Sequence, residues 1–137
     1  MTYLDELQPG MTAGTAKTIT EADILMFAAV STDNNPVHIN AEAAAGTMFK
    51  QRIAHGMLSA GLISAVLGNK LPGPGTIYLS QTLRFRAPVK IGDTVTATVE
   101  VTALDAGKKR ATLRTVCTVA GTPVIEGEAV VIPPARG

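Results

Sequence analysis

The chain has 137 residues, of which 46% are hydrophobic and 17% are charged, so we expect one globular domain over residues 1–137. Its 12 basic and 11 acidic side chains leave a net charge of +1, and aromatic residues make up only 4%. These totals argue against nucleic acid as a partner, because proteins that bind it usually show a basic excess and aromatic stacking platforms.

The sequence also gives no sign of a membrane partner. Its longest mostly apolar stretch, residues 56–68, is shorter than the roughly 18 residues that suggest a membrane span. The first ten residues lack the basic and apolar regions of a signal peptide. Cys117 is the single cysteine and cannot form an internal disulfide, so we expect a cytoplasmic protein.

In chain order, a strand is predicted first at about residues 12–19, followed by a helix at about residues 20–30. Thr20 is a suitable N-cap for this helix. Pro36 ends the helical segment, because the residue before a proline is pushed out of the helical backbone region. A short helix is then predicted from about residue 40 to 47.

A second long helix is predicted from about His55 to Leu67. Apolar residues surround its whole circumference, which is typical of a buried helix and not of an amphipathic one. Gly68 and Asn69 are expected to end it.

After residue 76 the hydrophobic period changes to two, which predicts strands. The first strand has one apolar face, made of Ile77, Leu79, Leu83, Phe85 and Ala87. Three further strands are predicted in TVTATVEVTAL, RATLRTVCTV and PVIEGEAVVI. We expect these four strands to form an antiparallel meander curved around the buried helix, which is an α+β fold.

The segment STDNNPVHIN, residues 31–40, contains the first candidate catalytic groups. Asp33 and His38 form a suitable acid–base pair, since each can hold or release a proton near neutral pH. Asn35 and its neighbours can fix the backbone here through Asx-type hydrogen bonds. The alternative is an ordinary helix-terminating loop with a surface histidine, and composition alone does not decide.

Gly56, at the start of the buried helix, is the second candidate. Backbone N–H groups in a first helical turn have no intrahelical partner. A residue without a side chain lets a ligand approach such a group, and the helix dipole favours negative charge there. These are the properties of an oxyanion hole. A small residue that allows tight packing is the alternative explanation.

Two polar residues near Gly56 also have two explanations each. His55 could orient a substrate or bind local backbone, and Ser59 could face the site or bond back to its own helix. Asp33, His38 and His55 match no standard zinc spacing, so no metal is expected.

Outside this region, Arg84, Arg86 and the cluster at residues 108–110 could meet phosphate groups or remain solvated charges. Cys117 lies in an alternating strand and is expected in the core.

Two motifs then carry a family resemblance. D-x-N-P-x-H-x-N, read from Asp33 to Asn40, resembles the hydratase motif of the MaoC-like hot-dog proteins, and most closely their small (R)-specific enoyl-CoA hydratases. IAHGMLSAGLISAVLG, residues 53–68, resembles their central helix, and LRFRAPVKIGDTV, residues 83–95, resembles the strand and turn that follow. The family often has aspartate where this chain has Asn40.

The resemblance implies a hot-dog fold, a homodimer and syn hydration of trans-2-enoyl-CoA to (R)-3-hydroxyacyl-CoA. Asp33 and His38 would hold and activate the water, and the N–H of Gly56 would bind the thioester oxygen. Ser59 and Asn35 are further substrate-binding candidates. No cofactor is implied, because the thioester is itself the electron sink. A dehydratase or thioesterase on the same fold, or a non-catalytic acyl-CoA-binding module, remains as an alternative.

Overall fold

The computed structural model describes residues 1–137. Strand β1 comprises Thr12–Thr18 and follows a 3-10 turn at Leu4–Glu6. The helices are α1 (Glu21–Ser31), α2 (Pro36–Ile39), α3 (Ala41–Ala45) and α4 (Gly56–Asn69). The remaining strands are β2 (Ile77–Phe85), β3 (Thr94–Asp105), β4 (Arg110–Val119) and β5 (Thr122–Ile132). The predicted order of strand, helices and strands is therefore confirmed.

A reciprocal cap begins α1 at the predicted N-cap. The Thr20 hydroxyl accepts a hydrogen bond from the Asp23 N–H at 3.1 Å, and the Thr20 N–H donates to the Asp23 carboxylate at 2.9 Å. The bond from the Thr20 backbone, aided by contact with Lys17, lowers the pKa of the Asp23 carboxyl. These contacts satisfy two backbone groups that the first turn leaves free.

The segment after α1 is more helical than predicted. The helix α1 ends before Pro36, at Ser31, where Thr32 takes a left-handed backbone conformation. Pro36 instead begins α2, because the fixed φ of proline suits a first helical position. The Asn35 side chain caps this turn by accepting the Val37 N–H at 3.2 Å. His38 therefore lies in a one-turn helix and not in the predicted loop.

The five strands form one antiparallel sheet in the order β1-β3-β4-β5-β2. Only β3, β4 and β5 form a meander. The predicted four-strand meander is wrong, because β2 pairs with β5 at the sheet edge and the connection from β2 to β3 crosses to the other side of the sheet. Alternating hydrophobicity specifies which face of a strand is buried but not which strand lies beside it.

Helix α4 packs on one face of this sheet, mainly against β3. Most of the largest fully buried side chains come from these two elements and from β4 and β5: Ile63, Val66, Leu67, Val95, Val99, Val101, Leu113, Ile125 and Val131. The sheet-on-helix arrangement confirms the predicted α+β class. None of the helices combines the length and the hydropathy that crossing a bilayer requires.

Two apolar surfaces that the sequence predicts to be buried are partly exposed. On α4, Met57 is 55% exposed, and Gly61 also faces outward. On β2, Ile77 and Phe85 are 55% and 52% exposed. The reason is topological, since α4 covers the middle of the sheet whereas β2 lies at its edge. These apolar groups are therefore free to contact a second chain.

Candidate active site

The turn between α1 and α2 carries Asp33. Thr32 closes α1 in the left-handed region, with φ of 64°. The Ser31 hydroxyl accepts the Asp33 N–H at 3.1 Å, and the Asp33 carboxylate accepts the Asn35 N–H at 3.4 Å. These are the local bonds that the sequence predicts for this segment. They hold the turn and leave the carboxylate exposed, with a single long backbone hydrogen bond.

The ring of His38 is held by a backbone carbonyl. Its Nδ1 lies 2.7 Å from the carbonyl oxygen of Ile53. Because a carbonyl oxygen only accepts, Nδ1 carries the proton of the neutral ring and Nε2 has a free lone pair. Arg52 donates from Nε to the His38 carbonyl at 2.7 Å and pairs with Glu21 at 2.7 Å. These bonds tie α2 to the start of α1.

His55 lies immediately before α4 and is almost completely buried, with 2% exposure. Its Nε2 lies 2.7 Å from the carbonyl oxygen of Asp33, and its ring stacks on that of His38 with the centroids 3.9 Å apart. A bond to local backbone, one of the two explanations that the sequence offers for His55, is not observed, since the partner lies 22 residues earlier. The fold thus joins both histidines to the Asp33 turn.

The Asp33 carboxylate and one nitrogen from each histidine lie within 4.8 Å of one another. A metal ion binds in the plane of an imidazole ring, along the nitrogen lone pair. The two rings are stacked, with 27° between their planes, so an ion in the plane of one ring lies off the plane of the other. One nitrogen of each ring is also taken by a carbonyl oxygen. The geometry suits a shared water better than an ion.

Gly56 is the first residue of α4, and its N–H has no acceptor in the chain. A Cβ at this position would lie 2.5 Å from Cε1 of Phe85, so only glycine fits while that ring keeps its position. The two explanations offered by the sequence, tight packing and a free N–H, therefore hold together. A free donor at the positive end of a helix favours negative charge.

Two adjoining pockets meet at His38, Gly56 and Phe85. The smaller, of about 180 Å³, also contains Asp33 and His55. The larger, of about 360 Å³, is mainly apolar. Its wall includes Met48, Phe49, Ile53, Val89 and Ile125. The polar groups thus lie at the entrance to an apolar cavity.

Ser59 and Asn35 have different positions. Ser59 lies in the wall of the larger cavity, is fully buried and has no hydrogen-bond partner for its Oγ. The alternative of a bond back to its own helix is therefore not observed. Asn35 lines neither pocket, and its side chain caps α2 instead.

The remaining candidate residues also differ in whether they line a pocket. Arg86 joins the wall of the larger cavity and pairs with Glu126 at 3.0 Å, whereas Arg84 and residues 108–110 line neither pocket. Cys117 is buried in the core as predicted, and burial raises the pKa of its thiol to about 11.

Sequence reasoning missed two residues of the site, Phe85 and Arg52. Phe85 alternates with polar residues like any strand core residue, so only the chain fold shows that its ring faces Gly56. Arg52 stands in an irregular segment without a periodic pattern. The one sequence feature that could have indicated a role in the site was the position of Arg52 shortly before His55.

Comparison with known proteins is consistent over nearly the whole chain. The chain is 62% identical over 135 residues to an (R)-specific enoyl-CoA hydratase from Rhodospirillum rubrum, covering 98% of this chain and 94% of that relative. It is 48% identical over 134 residues to a 3-hydroxybutyryl-CoA dehydratase from Methylorubrum extorquens, covering 98% and 85%.

Solved structures give the same result. An (R)-hydratase from Aeromonas caviae superposes with a TM-score of 0.91 at 48% identity, covering 93% of this chain and 98% of that chain. An R-hydratase from Pseudomonas aeruginosa gives 0.92 at 49% identity, covering 98% and 86%. A family model described as "MaoC like domain" matches residues 6–126. The chain therefore belongs to the MaoC-like domain family and has the hot-dog fold.

Proposed function

We propose that the chain is an (R)-specific enoyl-CoA hydratase, which adds water reversibly to trans-2-enoyl-CoA. The observation that carries the proposal is that three groups line one small pocket beside an apolar cavity: the Asp33 carboxylate, the free lone pair of His38 and the unpaired N–H of Gly56. The names of the relatives from Rhodospirillum rubrum and Aeromonas caviae agree with this activity.

The reacting water is assigned to the space between Asp33 and His38. Two hydrogen bonds of about 2.8 Å at a tetrahedral angle span about 4.6 Å. One water can therefore bridge the Asp33 carboxylate and the His38 ring, a nitrogen of which lies within 4.8 Å of it. The water donates one O–H to the carboxylate and the other to His38 Nε2. Its lone pair is then free to attack C3 of the enoyl group.

Negative charge develops on the thioester oxygen as the C3–O bond forms. The electrons of the C2–C3 double bond move towards the carbonyl, and we assign its oxygen to the Gly56 N–H at the positive end of α4. The group that took the proton from water then delivers it to C2. Both additions occur on the face that the Asp33–His38 pair occupies, and no cofactor takes part.

We assign the acyl part of the substrate to the larger, mainly apolar pocket. Apolar walls with few polar groups are typical of such sites. The unpartnered hydroxyl of Ser59 offers one hydrogen bond within this pocket. The same site catalyses dehydration in the reverse direction, which fits the name of the Methylorubrum extorquens relative.

The assembly proposed is a homodimer of one-domain chains in the cytoplasm. Strand β2 is an unpaired sheet edge with exposed apolar residues, among them Ile77, Leu79 and Phe85. Natural proteins usually cover or pair such an edge. Phe85 also lines the candidate site, so a second chain that covers β2 would help to close it. The single free thiol, Cys117, is compatible with a reducing compartment.

Turnover of crotonyl-CoA tests the function. The absorbance of the conjugated enoyl thioester should fall, and chiral analysis should identify (R)-3-hydroxybutyryl-CoA. Asp33→Asn should lower the rate by roughly 10²–10⁴. Asp105→Asn is the matched control, because Asp105 is also an exposed carboxylate that accepts one backbone N–H, and it lies outside both pockets. Release of free coenzyme A would indicate a thioesterase, and binding without turnover would indicate an acyl-CoA-binding module. Either result would contradict the proposal.

A further inference from the structure

His55 takes no part in the proposed chemistry, yet it contacts both residues that do. Its Nε2 bonds to the backbone of Asp33, and its ring stacks on His38. We propose that His55 is a positioning residue that fixes the Asp33 turn and the His38 ring relative to each other. This inference rests on the proposed hydratase function and adds a residue to its machinery.

The first link is a hydrogen bond to the turn that carries the base. The carbonyl oxygen of Asp33 lies 2.7 Å from His55 Nε2, and because a carbonyl only accepts, the histidine must donate. Thr32, the residue before Asp33, has a left-handed backbone conformation, which residues other than glycine seldom adopt. A donor from α4's N-cap residue therefore anchors a turn whose backbone conformation is otherwise unfavourable.

The second link is the stack of the two imidazole rings. Their centroids are 3.9 Å apart, and the ring of Phe27 also contacts His55 at 4.8 Å. The edge of His38 is fixed by its bond from Nδ1 to the Ile53 carbonyl, and one face is fixed by His55. With an edge and a face both held, the direction of the His38 Nε2 lone pair is determined.

The chemistry of the position favours a bonding role over simple packing. His55 is 2% exposed, and its Nδ1 has no partner. A buried polar atom without a partner destabilises a fold. A phenyl or aliphatic side chain would fill the same space without that cost, but it would lose the donor to Asp33. The bond to the turn is thus the property that histidine supplies here.

Two substitutions separate the two links. His55→Gln keeps an N–H donor within reach of the Asp33 carbonyl but has no ring to stack. His55→Phe keeps a ring against His38 and Phe27 but has no donor. Thr115→Val is the control, because it alters a buried polar residue that lines neither pocket. Steady-state kinetics on crotonyl-CoA and thermal melting are measured for each.

Both His55 variants should lower kcat by roughly tenfold to a hundredfold with KM within about threefold, because displacement of reacting groups affects the transition state. The control should keep kcat. In an Asp33→Asn background, His55→Phe should have little further effect, since a positioning residue acts through the group it positions. If His55→Phe does not fold, His55→Gln is combined with His38→Gln instead, because the link that His55→Gln loses is the one to His38.

Wild-type kcat in both folded variants, or a loss that multiplies in full with that of Asp33→Asn, would overturn the inference. A wild-type protein without hydratase activity would count against the proposed function instead. ¹⁵N NMR of the imidazole rings measures the positioning of His38 and does not depend on turnover. His38 should show one Nδ1-protonated tautomer in the wild type and in His55→Phe, which keeps a stacked ring, and a tautomer mixture in His55→Gln, which does not. Unchanged His38 signals in His55→Gln would also overturn the inference.

Discussion

A single methyl group at Gly56 should impair turnover without unfolding the protein. A Cβ at this position lies 2.5 Å from Cε1 and 2.6 Å from Cδ1 of Phe85. Carbon atoms in contact prefer about 3.5–4.0 Å, so the ring must move by roughly 1 Å. Phe85 is 52% exposed on an edge strand and can move towards solvent. Alanine also favours the helix over glycine by roughly 0.5–1 kcal/mol, so the melting temperature should change little.

The same displacement should reach the reacting groups, because Phe85 and Gly56 line both pockets beside His38. A misplacement of about 1 Å can lower a rate by about 10²-fold, and we expect a loss of that order in kcat/KM for Gly56→Ala. Gly61→Ala is the matched control. It lies on the same helix, and a Cβ there meets no atom within 4 Å.

Initial rates of crotonyl-CoA hydration and thermal melts give the assay. Removing the ring with Phe85→Ala removes the clash, so the double variant with Gly56→Ala should fall little below Phe85→Ala alone. Gly56→Pro adds the same Cβ but has no N–H, and its further loss relative to alanine should be about 10²–10³. Wild-type kcat/KM in Gly56→Ala, or an equal loss in Gly61→Ala, would refute the reasoning.

Activity should survive exhaustive chelation, since the Asp33–His38 pair needs no ion; loss on chelation that zinc restores would contradict this. Light scattering should give twice the 14.2 kDa mass of one chain, and an active monomer would exclude a site that depends on two chains. Because the pKa of Asp23 is lowered in the folded state, ionised Asp23 should stabilise the fold at pH values above its ordinary pKa of 3.8. This contribution should be lost as the pH falls through the lowered pKa. Melting curves of Asp23→Asn should therefore depend less on pH in that acidic range than those of the wild type.

Features set by neighbouring residues could be predicted from the sequence. Thr20 caps α1 because its hydroxyl reaches an N–H only three residues away. The buried alternation of β3 is equally local, and Val95, Ala97, Val99 and Val101 are all fully buried as expected. Asp33 and His38 also lie near each other because they are close in the sequence.

Features set by chain topology could not be predicted in this way. The pairing of β2 with β5 depends on the path of the chain across the sheet, and no periodicity encodes that path. The same holds for His55, whose partner carbonyl belongs to Asp33 on another element. The contact of Phe85 with Gly56 joins an edge strand to a helix start, so its spacing carries no local signal.

The central claim is that Asp33 and His38 handle one water as a unit, and a double-mutant cycle tests it most directly. Each of Asp33→Asn and His38→Gln should lower kcat by roughly 10²–10⁴. The double variant should fall little below the worse single variant, because residues that act as a unit are not additive. Losses that multiply in full, or a single variant with near-normal turnover, would contradict the claim.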